Sequence, residues 1–395
     1  MIRQFFTGAA MALAIGLGTP VAAQGEAAER AGAETRTNWI VRPAPGLDAL
    51  LMIGAASGDL LARDYYGETI AFLREAMPPE SVAAMDRIDQ ELRVERGRLV
   101  GPSLAYFFSA GPTGTLDDVL ASARDPEGRI RPGLSLLANW DEARFEEAVE
   151  LMPDVILALE GLQAIGFTDW YAAQNLPQIE AAIGRNLDAV APYDIIPEQE
   201  RLLGRPLEDG VEILLVRFSL PYGIRITGQR FLVHYDNPAE IQLQVAAHEI
   251  FHPPFDITDE TLWARFAVLE SDPWMVSILE NHDPAFGYNT FRGIVNEDST
   301  EALDQIVSER LGFARDPGRR WAHHDGGMHM LAAALYQAMV EDGFAESGGV
   351  YEDWLKSALD RGLLTPAEVR RRAAQIVGEA PVQLWYEAME AEVAD

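Results

Sequence analysis

The motif HEIFH at residues 248–252 constrains this chain more than any other stretch of its 395 residues. Two histidines four positions apart lie one turn from each other on the same face of an α-helix, so both imidazoles can bind one metal ion. Glu249, next to the first histidine, can face the open coordination position and take a proton from water there. The spacing predicts that His248 and His252 are metal ligands and that Glu249 is a catalytic base.

The residues around the motif predict how its helix begins and ends. Asn237 suits the N-cap, Pro238 suits the first turn, and Glu240 completes a capping box. At the other end, Pro253 disfavours α geometry in the residue before it. The helix should therefore end at or just before His252.

The same helix should bury its metal ligands. Ile241, Val245, His248 and His252 follow one another at spacings of 4, 3 and 4 residues and share one stripe. An apolar stripe of this kind packs against the rest of the protein. We therefore expect the metal site to lie between packed elements rather than on an exposed flank.

Composition limits the chemistry and the partners. The chain has no cysteine, which excludes disulfides, thiolate ligands, a cysteine nucleophile and a lipoprotein anchor. A transition-metal site must then use His, Asp or Glu. The formal net charge of −31 repels nucleic acid and anionic lipid. We expect no nucleic-acid partner and no stable membrane association.

The N-terminus has the pattern of a secretory signal peptide. Arg3 supplies a positive charge, residues 5–17 are apolar, and Val21-Ala22-Ala23 is a small-residue cleavage signal. We expect residues 1–23 to be removed and the mature protein to be periplasmic or secreted, with an uncleaved N-terminal anchor as the alternative. Residues 24–38 are polar and rich in Ala and Glu, which predicts a disordered leader.

Hydrophobic periodicity predicts a predominantly helical α+β fold. Residues 39–204 form a mostly helical N-terminal region, and residues 205–395 form a second region that carries the motif. Runs rich in β-branched and aromatic residues predict strands at 211–220 and 223–234, joined as a hairpin. We expect a small mixed or antiparallel sheet beside the motif helix.

A zinc site with two histidines needs a third protein ligand. The metzincin pattern requires Gly and then His or Asp at positions that hold Phe255 and Thr258 here. A histidine from elsewhere and a downstream glutamate remain possible, and residues 293–307 offer Glu297 and Glu301. Residues 298–301 also form a capping box, in which Glu301 needs no metal.

With these residues, the chain resembles the gluzincin zinc metallopeptidases, the group that includes thermolysin and the zinc aminopeptidases. Residues 301–307, EALDQIV, match the aminopeptidase-like pattern and favour Glu301 as the third zinc ligand. Asn296-Glu297 with Glu301 matches the thermolysin-like pattern more loosely. In that alternative Glu297 binds zinc and Glu301 orients a ligand histidine.

The resemblance also implies a Tyr or His after the ligand helix that stabilises the oxyanion of the reaction. His323, His324 and His329, around Gly327, occupy that part of the chain. The other interpretation of this histidine cluster is an ordinary solvated loop.

Taken together, the resemblance implies a zincin-like domain, a Zn²⁺ cofactor and an exported metallopeptidase that acts on peptide or protein substrates. The strand at 223–234 would be the edge that pairs with an extended peptide. Two alternatives stay open. One is a non-catalytic exported helical protein that keeps a zincin-like shell for binding, and the other is a zinc hydrolase acting on non-peptide amides.

Overall fold

The computed structural model describes residues 10–12, 35–137, 140–286 and 288–394. The predicted signal peptide at 1–23 and leader at 24–38 lie outside these residues, apart from 10–12 and 35–38. The backbone amides of Arg36 and Thr37 donate to the carboxylate of Asp194 at 3.2 and 2.8 Å. The last residues of the predicted leader are therefore held against the folded part.

A small mixed sheet lies among the helices. Its strands are β1 (Ala10–Ala12), β2 (Asn38–Pro43), β3 (Gly210–Val216), β4 (Tyr222–Arg225) and β5 (Arg230–His234), in the order β1-β4-β5-β3-β2. Strands β2, β3 and β5 are parallel, whereas β4 runs antiparallel to both β5 and β1. The predicted fold class, predominantly helical α+β with a small mixed sheet, is confirmed.

The strand pairing differs from the sequence prediction. Residues 223–234 are not one strand, because the chain turns between β4 and β5 at Gly228, whose φ of +78° is one that glycine adopts without strain. Strand β3 pairs in parallel with β5 rather than with β4, so the predicted hairpin between 211–220 and 223–234 is wrong. Strand β5 is also central in the sheet, which leaves β4 as the strand nearer the edge.

Helices make up most of the chain on both sides of the sheet strands. Between β2 and β3 they span Pro45–Ser57, Leu60–Ala76, Pro79–Asp89, Val100–Phe108, Leu116–Arg124, Pro126–Arg129, Arg131–Leu134, Glu142–Glu150, Met152–Ala164, Phe167–Gln174, Leu176–Val190 and Ile195–Leu203, with a π-helical segment at Gln90–Glu95. After β5 they span Ala239–Glu249, Glu260–Glu270, Pro273–Asn281, Phe291–Leu311, Pro317–His323, Met330–Glu341, Phe344–Ser347, Tyr351–Asp360, Pro366–Val377 and Glu379–Ala394.

The two predicted regions share one sheet and one continuous hydrophobic core. Strand β2, which the sequence analysis placed in the helical region, pairs along its whole length with β3. Buried Asp48 also accepts hydrogen bonds from the backbone amides of Arg217 and Phe218, at 2.6 and 2.8 Å. Among the described residues no single helix is long and apolar enough to cross a membrane, and one pair, Pro45–Ser57 with Leu61–Ala76, meets the length and composition only across a bend of 98°.

The helix Ala239–Glu249, here called the motif helix, packs on β3, β4 and β5. Its N-cap is Pro238 without a side-chain hydrogen bond, so the predicted capping box starting at Asn237 is wrong. Its C-terminal end agrees with the prediction. Beyond Glu249 the backbone tightens, and the amide of His252 bonds the carbonyl of Glu249 three residues back at 3.4 Å. The second histidine thus lies just past the helix end.

The helix Phe291–Leu311, here called the glutamate helix, packs against the motif helix. It starts well before residue 298, because the hydroxyl of Thr290 accepts from the amide of Gly293 at 3.1 Å and caps it there. Asp298 instead accepts from the amide of Ala332 at 3.0 Å. The interpretation of 298–301 as a capping box is therefore wrong, and the glutamates lie in the middle of a buried helix.

Candidate metal centre

Three buried side chains from two packed helices converge where the motif helix ends. The Nε2 atoms of His248 and His252 are 3.0 Å apart. The carboxylate oxygens of Glu297 lie 3.2 Å from Nε2 of His248 and 3.4 Å from Nε2 of His252. Each of the three side chains is at most 6% exposed. Their donor atoms are close enough together to hold one metal ion.

These separations fit a tetrahedral zinc site. Zinc binds histidine nitrogen and carboxylate oxygen at about 2.0–2.2 Å. Neighbouring corners of a tetrahedron with that radius lie about 3.3–3.6 Å apart. The two histidine nitrogens, 3.0 Å apart, come within a few tenths of an ångström of that edge, and Glu297 offers Oε1 at 3.2 Å from His248 and Oε2 at 3.4 Å from His252. Two histidines and a carboxylate are also a ligand set that catalytic zinc sites use.

His248 is oriented by a buried carboxylate on its far side. Its Nδ1 atom donates to Oδ2 of Asp304 at 2.8 Å, which directs Nε2 towards Glu297. Arg320 in turn donates to the same Asp304 oxygen at 2.9 Å. Metal-binding histidines characteristically donate their second nitrogen to a carboxylate in this way. The sequence analysis did not single out Asp304 as a functional residue.

His252 is held by neutral polar groups of the glutamate helix. Its Nδ1 atom lies 3.3 Å from the amide nitrogen of Asn296 and 3.3 Å from the hydroxyl of Thr300. The ring of His252 meets that of His248 edge to face, with centroids 4.8 Å apart. The side chain of His252, although beyond the helix end, is therefore still fixed in the site.

The charges of this site depend on one another. Burial lowers the pKa of His248, but Glu297 and Asp304 outweigh it and raise that pKa well above its ordinary value. Burial raises the pKa of Glu297, but the two histidines hold it well below its ordinary value. Glu297 and Asp304 thus stabilise a protonated His248, whose Nε2 atom faces the Glu297 carboxylate. A divalent cation would take the place of the proton.

Glu249 lies beside this cluster and is almost wholly buried. Neither of its carboxylate oxygens has a hydrogen-bond partner among the described residues. Burial raises its pKa to about 8, with the positive charge of His248 acting in the opposite direction and Glu297 adding to the rise. A carboxylate in this setting can accept a proton near neutral pH and release it again.

Tyr288 is a site residue that the sequence analysis missed. Its buried hydroxyl bonds the Glu297 carboxylate, and burial together with the charges of Glu297 and Asp325 raises its pKa well above the ordinary value. Its backbone φ is +55°, which is uncommon for a non-glycine residue and places the side chain in the site. Such a turn has no motif in the sequence that would reveal it.

The preferred third ligand, Glu301, does not join the two motif histidines. It lies one turn further along the glutamate helix, where its Oε2 accepts from the indole of Trp321 at 2.7 Å and lies 3.0 Å from Arg320. The structure therefore favours the alternative, Glu297. Glu301 does not orient a ligand histidine either, since Asp304 bonds His248.

The three downstream histidines have different surroundings. His323 is exposed at a helix end. His324 and His329 are buried beside Glu301 and form with it a second cluster whose donor atoms could hold a metal ion. In that cluster His329 lies between two aspartates, 2.7 Å from Asp298 and 3.2 Å from Asp325.

The two clusters differ in whether an arginine pairs with the candidate ligand glutamate: Glu301 lies 3.0 Å from Arg320, whereas among the described residues no Lys or Arg forms an ion pair with Glu297. In the second one, Arg320 neutralises Glu301 and a protonated His329 neutralises its aspartates, because Asp298 and Asp325 outweigh burial and raise the pKa of His329 well above its ordinary value. The interpretation of these histidines as a solvated loop is wrong for His324 and His329, which are buried.

Comparisons with protein-family models, with curated proteins and with solved structures found no match to this chain.

Proposed function

We propose that this chain is an exported zinc-dependent metallopeptidase of the gluzincin type. The observation that carries the proposal is the convergence of His248, His252 and Glu297, with donor atoms 3.0–3.4 Å apart, beside the unpartnered carboxylate of Glu249. The export signal expected at residues 1–23 is part of the same proposal.

Each residue has a role that follows from its position. His248, His252 and Glu297 would hold the zinc, and Asp304 would keep His248 oriented towards it. Zinc, when bound, supplies a Lewis acid that polarises the scissile carbonyl and makes a neighbouring water more acidic. Glu249 would accept the proton of that water and pass it to the leaving amine, which its burial and raised pKa favour.

Tyr288 is the best placed donor for the developing negative charge on the carbonyl oxygen. Its phenol is buried, neutral at physiological pH and already directed at Glu297. A neutral donor fixed before the reaction stabilises an oxyanion most in a site that excludes water. We therefore assign to Tyr288 the role that the sequence analysis gave to His323, His324 or His329.

A cavity of about 440 Å³ gives substrate a route to this centre, since both His252 and Asn296 line it. Its walls include Ile224 and Arg225 of β4. An extended peptide entering here would run beside β4, which lies between β1 and β5, rather than along β5, the predicted edge.

The test compares wild-type protein with Glu249→Gln, using denatured protein and a peptide library as substrates with zinc supplied. We expect both proteins to bind zinc equally, and hydrolysis by the variant to fall by about 10²–10⁴-fold. Glu240→Gln, at an exposed position of the same helix, is the matched control and should retain full activity.

Two outcomes would overturn the proposal. Wild-type protein that binds zinc but stays inert on every substrate would favour the non-catalytic binding protein. Hydrolysis confined to non-peptide amides would favour the other alternative, a zinc hydrolase with a different substrate class.

A further inference from the structure

The wall of the cavity that reaches the candidate metal centre carries a net positive charge, although the chain as a whole is strongly acidic. Acidic residues outnumber Lys and Arg by 62 to 31 in the sequence as a whole. The cavity wall reverses that ratio, with five arginines (Arg96, Arg98, Arg144, Arg225 and Arg292) against two acids (Asp141 and Glu270). The excess of three positive charges faces a space large enough for several residues of a peptide.

Three of these arginines already have carboxylate partners. Arg96 pairs with Glu91 and Glu147, Arg292 pairs with Glu260, and Arg144 lies 3.3 Å from Asp141. Arg98 and Arg225 differ from them, because among the described residues neither guanidinium forms an ion pair or a hydrogen bond with a carboxylate. These two charges are the ones that remain available to a ligand.

Arg225 is the more informative of the two. It is the last residue of β4, its Nε atom is buried, and that atom has no hydrogen-bond partner within the described part of the chain. Burial lowers the pKa of Arg225, and the nearby Tyr106 and Glu249 only partly oppose that shift. Arg225 therefore lines the cavity with an unused donor, close enough to the proposed catalytic base to interact with its charge.

The other arginines extend this positive region along the cavity, and Tyr106 lies beside them. Tyr106 lines the same wall and is close enough to both Arg225 and Arg144 to affect their charges. Burial lowers the pKa of both Arg98 and Arg144, and the positive charge of Arg98 lowers the pKa of Arg144 further. A fold that buries like charges together in this way gains stability when an anion enters between them.

We propose that this cavity is a binding site for a carboxylate of the substrate, with Arg225 as its main anchor and Arg98 as a second contact. Arginine presents a planar fork of donors that matches a carboxylate with two hydrogen bonds. The aromatic and aliphatic side chains around it, among them Phe107, Trp140 and Trp263, would pack on the apolar part of the same ligand. The carboxylate is either the C-terminus of a peptide or an acidic side chain.

This inference names a substrate feature of the proposed peptidase, and the identity of the ligand as a peptide rests on that proposed function. Binding can be measured without hydrolysis, in the full mature chain kept free of metal by a chelator. The probes are an N-acetylated tetrapeptide of Ala and Phe with a free C-terminal carboxylate, the same peptide with a C-terminal amide, and the amide with one Ala replaced by Glu. The fluorescence of Trp140 and Trp263, both on the cavity wall, reports binding.

We expect at least one carboxylate probe to bind about tenfold or more tightly than the neutral amide, because hydrogen bonds to charged groups are the strong ones. Preference for the free C-terminus or for the Glu-containing peptide identifies the source of the carboxylate. Arg225→Gln should remove most of the preference, and Arg98→Gln should reduce it. Arg124→Gln is the control, because that exposed side chain pairs with Glu160, does not line the cavity, and its loss should leave the preference within about twofold.

Equal binding of all three probes to the wild-type chain would overturn the inference. An unchanged preference in both Arg225→Gln and Arg98→Gln, each with the circular dichroism of the wild type, would also overturn it. The proposed function is tested separately. Peptide hydrolysis without a preference for carboxylate probes would contradict only the carboxylate site. A preference for carboxylate probes without any peptide hydrolysis would contradict only the peptidase function.

Discussion

The Nδ1 atom of His248 donates a hydrogen bond of 2.8 Å to Oδ2 of Asp304. Both side chains are buried between the motif helix and the glutamate helix. This bond fixes the ring that begins the HEIFH motif and leaves its Nε2 atom facing Glu297. The relationship matters because a ligand histidine that is free to rotate binds metal less tightly than one held in place.

Replacing Asp304 should therefore weaken metal binding without removing a ligand. We expect Asp304→Asn to lower zinc affinity by about 10–100-fold, since the amide cannot match the carboxylate that pairs with both His248 and Arg320. Competition with a chromophoric chelator measures the affinity. Glu309→Gln, at an exposed position of the same helix, is the control and should leave the zinc affinity unchanged. If Asp304→Asn binds zinc as tightly as wild type, other contacts set the orientation of His248.

The hydroxyl of Tyr288 should affect turnover more than metal binding. Phenylalanine preserves the ring and the uncommon backbone conformation but removes the donor near Glu297. We expect Tyr288→Phe to lower kcat by about 10²–10³-fold with little change in KM or zinc content. Steady-state kinetics and metal analysis check this, with Tyr65→Phe at an exposed position as the control. A parallel loss of zinc would show that the hydroxyl only supports the ligand.

Asp48 should give the fold a pH dependence that lies far from the metal centre. Burial raises its pKa to about 6, despite hydrogen bonds from Tyr171 and from the amides of Arg217 and Phe218. Between the pKa of the unfolded chain and about pH 6, folded Asp48 retains a proton that the unfolded chain has already released. The contribution of Asp48 to the free energy of unfolding is therefore full below the unfolded pKa. It falls as the pH rises through about 6.

Asp48→Asn cannot titrate and should lose this dependence. We expect the free energy of unfolding of the variant, minus that of wild type, to be about 3 kcal/mol higher at pH 7 than at pH 3. This figure corresponds to the rise of about two units in the pKa of Asp48 on folding. Urea denaturation at both pH values measures the change. Asp64→Asn, on an exposed helix surface, should show no such shift, and a wild-type-to-Asp48→Asn difference that is the same at both pH values would contradict the assignment.

Local sequence rules predicted the C-terminal end and the buried face of the motif helix, but not its N-cap, which is Pro238 rather than Asn237. The stripe that contains Val245, His248 and His252 is buried as expected, and the helix ends before Pro253. The mixed α+β class was also predictable from periodicity. Strand pairing was not, because β3 joins β5 through parallel contacts that skip β4, and no local pattern encodes that order.

The choice between Glu297 and Glu301 depends on how the glutamate helix is rotated against its neighbour. Both residues suit the family pattern and lie one turn apart, so the sequence alone could not decide between them. The rotation is set by packing along a helix that starts at Thr290, and by Arg320 and Trp321, which come from elsewhere in the chain to bond Glu301. Tyr288 and Asp304 were missed for the same reason, since their roles exist only once the helices pack.

The central claim is that His248, His252 and Glu297 bind one zinc ion. Anomalous diffraction at the zinc edge from crystals of the zinc-loaded protein tests it most directly. The claim predicts a peak about 2.0–2.2 Å from the Nε2 atoms of both histidines and from a carboxylate oxygen of Glu297. A peak at Glu301, His324 and His329 instead, or no peak at the HEIFH motif in zinc-loaded crystals, would contradict it.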